Sequence, residues 1–227
     1  MWLTIIIPTY HDDVKLQYLV TQFAAWPLVG VAVLIVDGQK RQRPEWLPDD
    51  YGYLYCSQPN RGRQLRLGAS QAQTDKLLFL HSDSFFPQGS PLTYLRQTSV
   101  EVGFFTLQFD RTTHFFKRLA RQSNWRARTR KLIFGDQAFF VTRSAYERSG
   151  GFPDQPLMED FAFSRRLAHQ HYQFHQIPLI IQTSARQYQM AGPYRTLFKM
   201  QCIQLLYMMG CPPTWLRRLY YRKEQRS

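Results

Sequence analysis

Four acidic positions could carry chemistry in this chain. Asp37 follows the apolar run Val31-Ala32-Val33-Leu34-Ile35-Val36, and Asp83 follows Lys76-Leu77-Leu78-Phe79-Leu80 across His81 and Ser82. Glu159 and Asp160 open a helical pattern after the turn-rich Gly150-Gly151-Phe152-Pro153. Acids just past the carboxyl ends of buried strands stand where open α/β sheets bind ligands. A hard divalent cation on a diphosphate needs only one or two carboxylates, because phosphate oxygens and water complete its shell. A carboxylate at a loop–helix junction facing the same cleft can serve as a general base. Each position also has a plainer explanation. A strand-end acid can cap the next helix, and acids in a first helical turn answer the macrodipole. Two strand-end acids in a basic chain favour ligand binding.

The cationic groups point the same way. Pro59-Asn60-Arg61-Gly62-Arg63 combines a glycine, which permits close backbone approach, with two arginines suited to phosphate. A helix starting here would add backbone N–H donors for an anion, although a solvated helix-entry loop has the same composition. No G-x-x-x-x-G-K-S/T and no G-x-G-x-x-G occurs, which excludes the standard P-loop and dinucleotide fingerprints. Gly135-Asp136-Gln137 reads as a turn before a strand. Of the six histidines, His169, His171 and His175 read as a solvated helix end, whereas His81 lies two residues before Asp83. The stretch from Arg118 to Lys131 reads as a solvated basic face, or as a surface for an acidic ligand, RNA or membrane.

The elements that must position these groups alternate. Strand Ile5-Ile6-Ile7 ends at Pro8, and Leu16, Leu19, Val20 and Phe23 follow at helical spacing. The strand to Asp37, a short strand at Tyr53-Leu54-Tyr55, a helix to Gln73 and the strand to Leu80 complete the first half. This alternation predicts a doubly wound, mostly parallel α/β sheet. The second half predicts strands over Val102–Phe109, Ala138–Val141 and Phe174–Ile181, the last interrupted by Pro178, with a helix over Glu159–Gln170. The tail from Tyr194 to Tyr221 is helical with a break at Cys211-Pro212-Pro213. Its apolar residues pack on the core or form an interfacial amphipathic segment; its later cations are Arg217, Arg218, Arg222 and Lys223. No repeat and no linker divides the 227 residues, so one domain is expected: a regularly alternating half (1–110), a less regular half (111–192) and a helical basic tail (193–227).

Composition bounds the partners. With 29 Lys+Arg against 16 Asp+Glu, the net charge of +13 calls for an anionic partner. Three cysteines without a C-x-x-C pair argue against a zinc cluster or disulfide framework and fit a reducing cytoplasm. The chain starts directly in a strand with no signal-peptide pattern, and no 18-residue apolar run predicts a membrane span.

Taken in order, Ile5-Ile6-Ile7-Pro8-Thr9-Tyr10, Val36-Asp37-Gly38, Pro59-Asn60-Arg61-Gly62-Arg63, Leu78-Phe79-Leu80-His81-Ser82-Asp83, Gly135-Asp136-Gln137, Gly150-Gly151-Phe152-Pro153, Pro156-Leu157-Met158-Glu159-Asp160 and Thr183-Ser184-Ala185-Arg186 resemble a family 2 glycosyltransferase with the GT-A fold. The set is similar to a small bacterial subgroup associated with radical-SAM/selenoprotein-type gene neighbourhoods. The resemblance implies a nucleotide-sugar donor, a divalent metal (Mg or Mn) and an acceptor hydroxyl. It assigns the nucleoside to Pro8, Thr9 and Asp37, and the nucleotide or diphosphate to Arg61 and Arg63. Asp83 matches the last acid of the D-x-D metal motif, with His81 in place of the first. Asp160 matches the base of the E-D pair in inverting members, with Glu159 orienting it or capping the helix. Asp12 stands where the family carries an acid after its first strand, and Asp12, His81, Gly135, Asp136 and Gln137 join the substrate-binding set. Under the resemblance, residues 1–110 are the nucleotide-sugar-binding half and 111–192 the acceptor/catalytic half. The acceptor is open, a lipid-linked one being compatible with the basic aromatic tail and with peripheral contact to an anionic membrane; no nucleic acid is expected. The rivals are a nucleotidyltransferase on a related fold and a non-catalytic anion- or RNA-binding protein.

Overall fold

Strand β1 (Leu3–Thr9) is buried at every position, and its side chains alternate between two cores. Leu3, Ile5 and Ile7 face one apolar cluster and Ile6 the other. A strand with both faces covered needs helices on both sides. On the first side lies α1 (Asp13–Phe23), which buries Leu16, Leu19, Val20 and Phe23 at the spacing expected. On the second lies α2 (Arg61–Gln71), which buries Leu65 and Ala69. The chain is described here by a computed structural model over residues 1–186, 188 and 192–221. Arg222 and Lys223 of the basic tail lie outside the described residues.

The other strands are β2 (Val31–Asp37), β3 (Gly52–Tyr55), β4 (Lys76–Phe79), β5 (Val102–Phe109), β6 (Phe139–Thr142) and β7 (His175–Thr183). They form one sheet of seven strands in the order β3-β2-β1-β4-β6-β5-β7. β1, β2, β3 and β4 run parallel, and β6 is antiparallel to both of its neighbours. Thr9 is level with Asp37, so the carboxyl ends of β1 and β2 finish together. Phe79 faces Phe139 across the antiparallel pair. The loop entering β6 therefore lands at the carboxyl end of β4, beside His81-Ser82-Asp83.

Four details differ from the sequence expectation. Pro8 lies inside β1 rather than ending it; β4 pairs only as far as Ile6, so Pro8 sits beyond that ladder. α2 starts at Arg61 and stops at Gln71, two residues before Gln73; Asn60 caps it by accepting from the Arg63 N–H at 2.8 Å. Pro178, which predicts an interruption, leaves β7 continuous but shifts its register. The register jumps from Phe105↔Ile177 to Thr106↔Ile180, so the proline and its neighbour are accommodated as an irregularity. Two short helices escaped the periodicity argument, α3 (Leu92–Gln97) and α5 (Arg143–Arg148), each too brief to display a repeat. The remaining helices are α4 (His114–Arg130), α6 (Glu159–His169), α7 (Pro193–Met208) and α8 (Pro213–Tyr221). Among the described residues, no helix is long and apolar enough to cross a membrane.

Candidate functional site

Helix α6 begins at Met158, whose φ of 64° puts a non-glycine residue in the left-handed region. Such a conformation persists only where its surroundings hold it, and Met158 is buried against Phe161, Ile203 and Leu216. The turn sends Glu159 and Asp160 inward, leaving them 1% and 2% exposed. Arg61, from the first residue of α2, reaches both. Its Nε donates to Glu159 Oε1, and its Nη2 donates to Asp160 Oδ2 at 3.3 Å. Asp160 Oδ2 also accepts from the Gly135 N–H at 2.9 Å. Among the described residues, Asp160 Oδ1 is buried without a partner. The tertiary structure thus gives two adjacent acids different surroundings. Glu159 is committed to Arg61, while Asp160 keeps one oxygen free to take a proton.

Burial pushes the Asp160 carboxyl up to about 7; Arg61 opposes this, and the charges of Glu159 and Asp136 add to it. Arg61 is held charged by the same two acids against the cost of its own burial. Its side chain is 42% exposed, so water softens what its removal would cost. Arg61→Gln is expected to lower stability by on the order of 2 kcal/mol at pH 8, below the range for breaking a fully buried pair. The deficit should shrink at pH 5, where Asp160 is protonated and less charge is stranded. Urea denaturation at the two pH values measures this.

The turn before β6 brings a third acid to the site. Gly135–Gln137 forms one 3-10 turn, followed by Ala138 at φ 51°, ψ 149°, another strained non-glycine conformation. Gly135 has no side chain to lose: a Cβ there would stand 2.0 Å from His81 Nε2 and 3.0 Å from Asp160 Oδ2. Asp136 is only partly exposed, and its Oδ1 is buried without a partner. Gln137 is fully buried and donates to Asn124 Oδ1 at 3.2 Å; Asn124 in turn exchanges two bonds with the Leu107 backbone of β5. Arg126 lies over the Phe134 ring at 4.2 Å and donates to Gln137 Oε1 at 3.5 Å. Within the basic stretch, therefore, Arg118, Arg121, Arg128 and Arg130 are exposed on α4, while Arg126 turns inward to the Gly-Asp-Gln turn.

Asp83 stands opposite. Burial raises its pKa; Lys15 opposes the rise, and Asp12 adds to it. Burial raises Asp136 as well, against Arg126 and with the help of Asp83. Burial lowers His81 to about 3, with Arg61 and Lys15 pushing in the same direction, so its imidazole is neutral and its Nε2 is buried without a partner. Asp12 pairs with Lys15 at 2.9 Å and accepts from Ser82 Oγ at 3.4 Å, which ties the loop after β1 to the Asp83 turn. Lys15, Asn124 and the inward role of Arg126 were not legible in the sequence. A lysine one turn into an amphipathic helix and an asparagine mid-helix look like surface residues until the strands align them.

Other expected residues are placed apart from this cluster. Asp37 is fully buried, and its oxygens accept from the Gln39 N–H at 2.8 Å, from Arg41 Nε at 2.8 Å and from Tyr53 OH at 2.9 Å. Arg41 also binds Asp13. Gln64 on α2 donates to Thr9 O and Val36 O, clamping the ends of β1 and β2, and Thr9 Oγ1 is buried without a partner. Arg63 points away, paired with Asp154 at 2.6 Å on the exposed rim. His169, His171 and His175 are exposed; His169 ends α6 as the helix-end reading expects, whereas His175 opens β7. A cavity of about 470 Å³ opens between the loop after β1 and the segment after β2, lined by His11, Asp12, Asp13, Lys15, Gln39 and Arg186. A larger one of about 590 Å³ lies at the opposite end of the sheet, among Glu101, Arg148, Tyr172 and His175, away from every carboxylate described above.

No family model and no curated protein matches the sequence. Solved structures do match. The chain is similar to S. aureus TarS 1-349 in complex with UDP at 14% identity and TM-score 0.62, over 82% of this chain and 61% of that one. It is similar to the mannosyltransferase PcManGT from Pyrobaculum calidifontis in complex with GDP-Man and Mn²⁺ at 15% identity and TM-score 0.64, over 96% of this chain and 69% of that one. The fold is GT-A. The chain spans about three-fifths of the length of the TarS 1-349 fragment. On this GT-A sheet the charge of Asp136, in the turn before β6, acts on and is acted on by its neighbours: Asp83, past the end of β4, raises Asp136, and Asp136 raises Asp160 at the start of α6.

Proposed function

We propose that the chain is a metal-dependent, inverting glycosyltransferase that moves a sugar from a nucleoside-diphosphate sugar to an acceptor hydroxyl. The observation that carries this reading is the trio Asp83, Asp136 and Asp160, all pushed up by burial, two of them with buried oxygens that lack partners among the described residues. Such a site is unfavourable empty of cations and favourable around one. The ordered motifs further support family 2 and its radical-SAM-associated bacterial subgroup, acting in the cytoplasm.

The donor set fits a hard cation. Asp83 and Asp136 offer oxygens only, the preference of Mg²⁺ or Mn²⁺. Among the described residues no three His, Cys, Asp or Glu side chains form a metal cage, so diphosphate oxygens and water would complete the shell. The cation, when bound, neutralises charge growing on the departing diphosphate. Lys15, beside Asp83, adds positive charge at the same side. The acceptor oxygen attacks the anomeric carbon, the bond to the diphosphate oxygen breaks, and Asp160 Oδ1 takes the hydroxyl proton. Arg61 and the Gly135 N–H fix the other oxygen of that carboxyl, so the free one keeps its aim. The products are the inverted glycoside and a nucleoside diphosphate, with the proton left on Asp160. Thr9 and the cavity lined by Asp12, Asp13 and Gln39 support a nucleoside position, with Asp37 bracing it through Arg41 and Tyr53.

The test is a donor screen that reads nucleoside diphosphate release, since a nucleotidyltransferase would release pyrophosphate from a triphosphate. In parallel, UDP or GDP with Mn²⁺ should raise the melting temperature more than nucleotide or metal alone, by mass action on the folded state. Asp83→Asn should abolish the metal-dependent part while leaving the nucleotide-free melting temperature within a few degrees. Equal stabilisation of wild type and Asp83→Asn would remove Asp83 from the metal.

A further inference from the structure

Helix α7 is amphipathic the wrong way round. Its buried residues are Thr196 and Ile203, seven apart and therefore on one face. The opposite face is exposed and carries Tyr194, Phe198, Leu205, Met208 and Met209, at successive steps of four, seven, three and one. These five are 54–74% exposed, and Gln201 is the polar residue among them. α8 continues the pattern. Leu216 is buried beneath it, while Trp215 and Leu219 are exposed beside Arg217 and Arg218. A contiguous exposed apolar patch marks an interaction surface.

Charge selects the partner. From Phe161 to Lys223 the sequence contains no Asp or Glu, and α7 and α8 carry Arg195, Lys199, Arg217 and Arg218. A face of aromatic, Leu and Met side chains edged with cations and free of acids suits an anionic bilayer surface, where rings and thioethers enter the acyl boundary and cations meet phosphates. A second copy of the chain would bring like-charged rims together.

We infer that α7 and α8 form an in-plane membrane-binding unit that sets the candidate site at an anionic lipid surface. The unit is fixed to the site: Met158 and Phe161 of the Glu159-Asp160 turn pack on Ile203 and Leu216, Tyr207 OH lies 3.2 Å from Gln155 Nε2, and Tyr221 is close enough to act on the charge of Arg61. Resting on the transferase reading, this deepens it: the acceptor would be a lipid-linked hydroxyl presented from the bilayer.

The test is flotation of the full chain with phosphatidylcholine vesicles containing about one-third phosphatidylglycerol. Wild type should float with these vesicles and not with pure phosphatidylcholine. The double variant Phe198→Ser/Leu205→Ser, whose positions are exposed and whose melting temperature should match wild type, should bind at least about tenfold more weakly. Absence of flotation overturns the inference, as does a variant that floats like wild type. Size-exclusion with light scattering covers the other occupant: a dimer that these substitutions dissolve, without vesicle binding, assigns the stripe to self-association. Nucleoside diphosphate release to water is measured alongside without lipid, so loss of membrane binding and loss of the transferase reading are read separately.

Discussion

Asp160→Asn is expected to lower the rate of sugar transfer by about 10²- to 10⁴-fold, the usual contribution of a positioned general base. The asparagine keeps an oxygen for Arg61 and the Gly135 N–H, so the geometry and donor KM should change little while kcat falls. Wild-type kcat/KM should rise with pH through about 7, where the buried carboxyl of the free protein loses its proton, and the variant's residual rate should lack that rise. The same residue predicts a stability slope. Its folded pKa lies well above that of an exposed aspartate, so the folded state holds the proton more tightly. The stabilisation is complete below the unfolded pKa and is lost as pH rises through about 7. Wild type should therefore gain stability from this group between pH 8 and pH 5, and Asp160→Asn should not. Stopped-flow or coupled-assay kinetics and denaturation across this pH range test both halves. Transfer by Asp160→Asn at near wild-type rate would sink the assignment.

Gly62→Ala should be the most damaging single methyl among residues 1–110. A Cβ at this position would lie 2.4 Å from Pro153 O, 3.1 Å from Gln155 O and 3.1 Å from Glu159 Cβ. Two of these neighbours are backbone, so α2 or the loop before α6 must shift. An overpacked contact of this kind costs about 1–3 kcal/mol. The larger effect falls on chemistry, because Gly62 follows Arg61 and the contact it permits brings Arg61 to Glu159 and Asp160. A displacement near 1 Å at a catalytic group can cost about 10²-fold in rate. Leu65→Ala on the same helix is the comparison: Leu65 is 2% exposed in the core, so it should lose stability by about 2–4 kcal/mol without losing rate per folded molecule. If Gly62→Ala loses no more activity per folded molecule than Leu65→Ala, the close approach serves packing alone.

The strands and the acids at their ends were legible because buried parallel strands must be continuous apolar runs, and whatever follows them is at the ligand edge. The Val31–Val36 and Lys76–Leu80 runs placed Asp37 and Asp83 at that edge, and the helical spacing of Leu16, Leu19, Val20 and Phe23 matched α1. Short elements without a repeat, α3 and α5, left no such trace. The Arg61-Gly62-Arg63 motif was legible as a cationic loop, but its two arginines look alike in sequence and part company in space. One meets Glu159 and Asp160, and the other meets Asp154 on the rim.

The sequence by itself determined the alternation of elements, the basic balance, and which acids could be chemical. It could not determine which acids act together. Asp83 and Asp136 are far apart in the chain, and only the antiparallel insertion of β6 beside β4 carries the Gly135–Gln137 turn to the end of the strand before Asp83. The family resemblance names Asp160 over Glu159 as the base, and the structure adds a physical difference between them: Arg61 and the Gly135 N–H arrive from other elements and, among the described residues, leave one oxygen of Asp160 without a partner. Local pattern fixes what each segment is, because periodicity and burial are properties of neighbours in sequence. Proton and charge chemistry depends on distances between segments, and those exist only once the sheet has assembled.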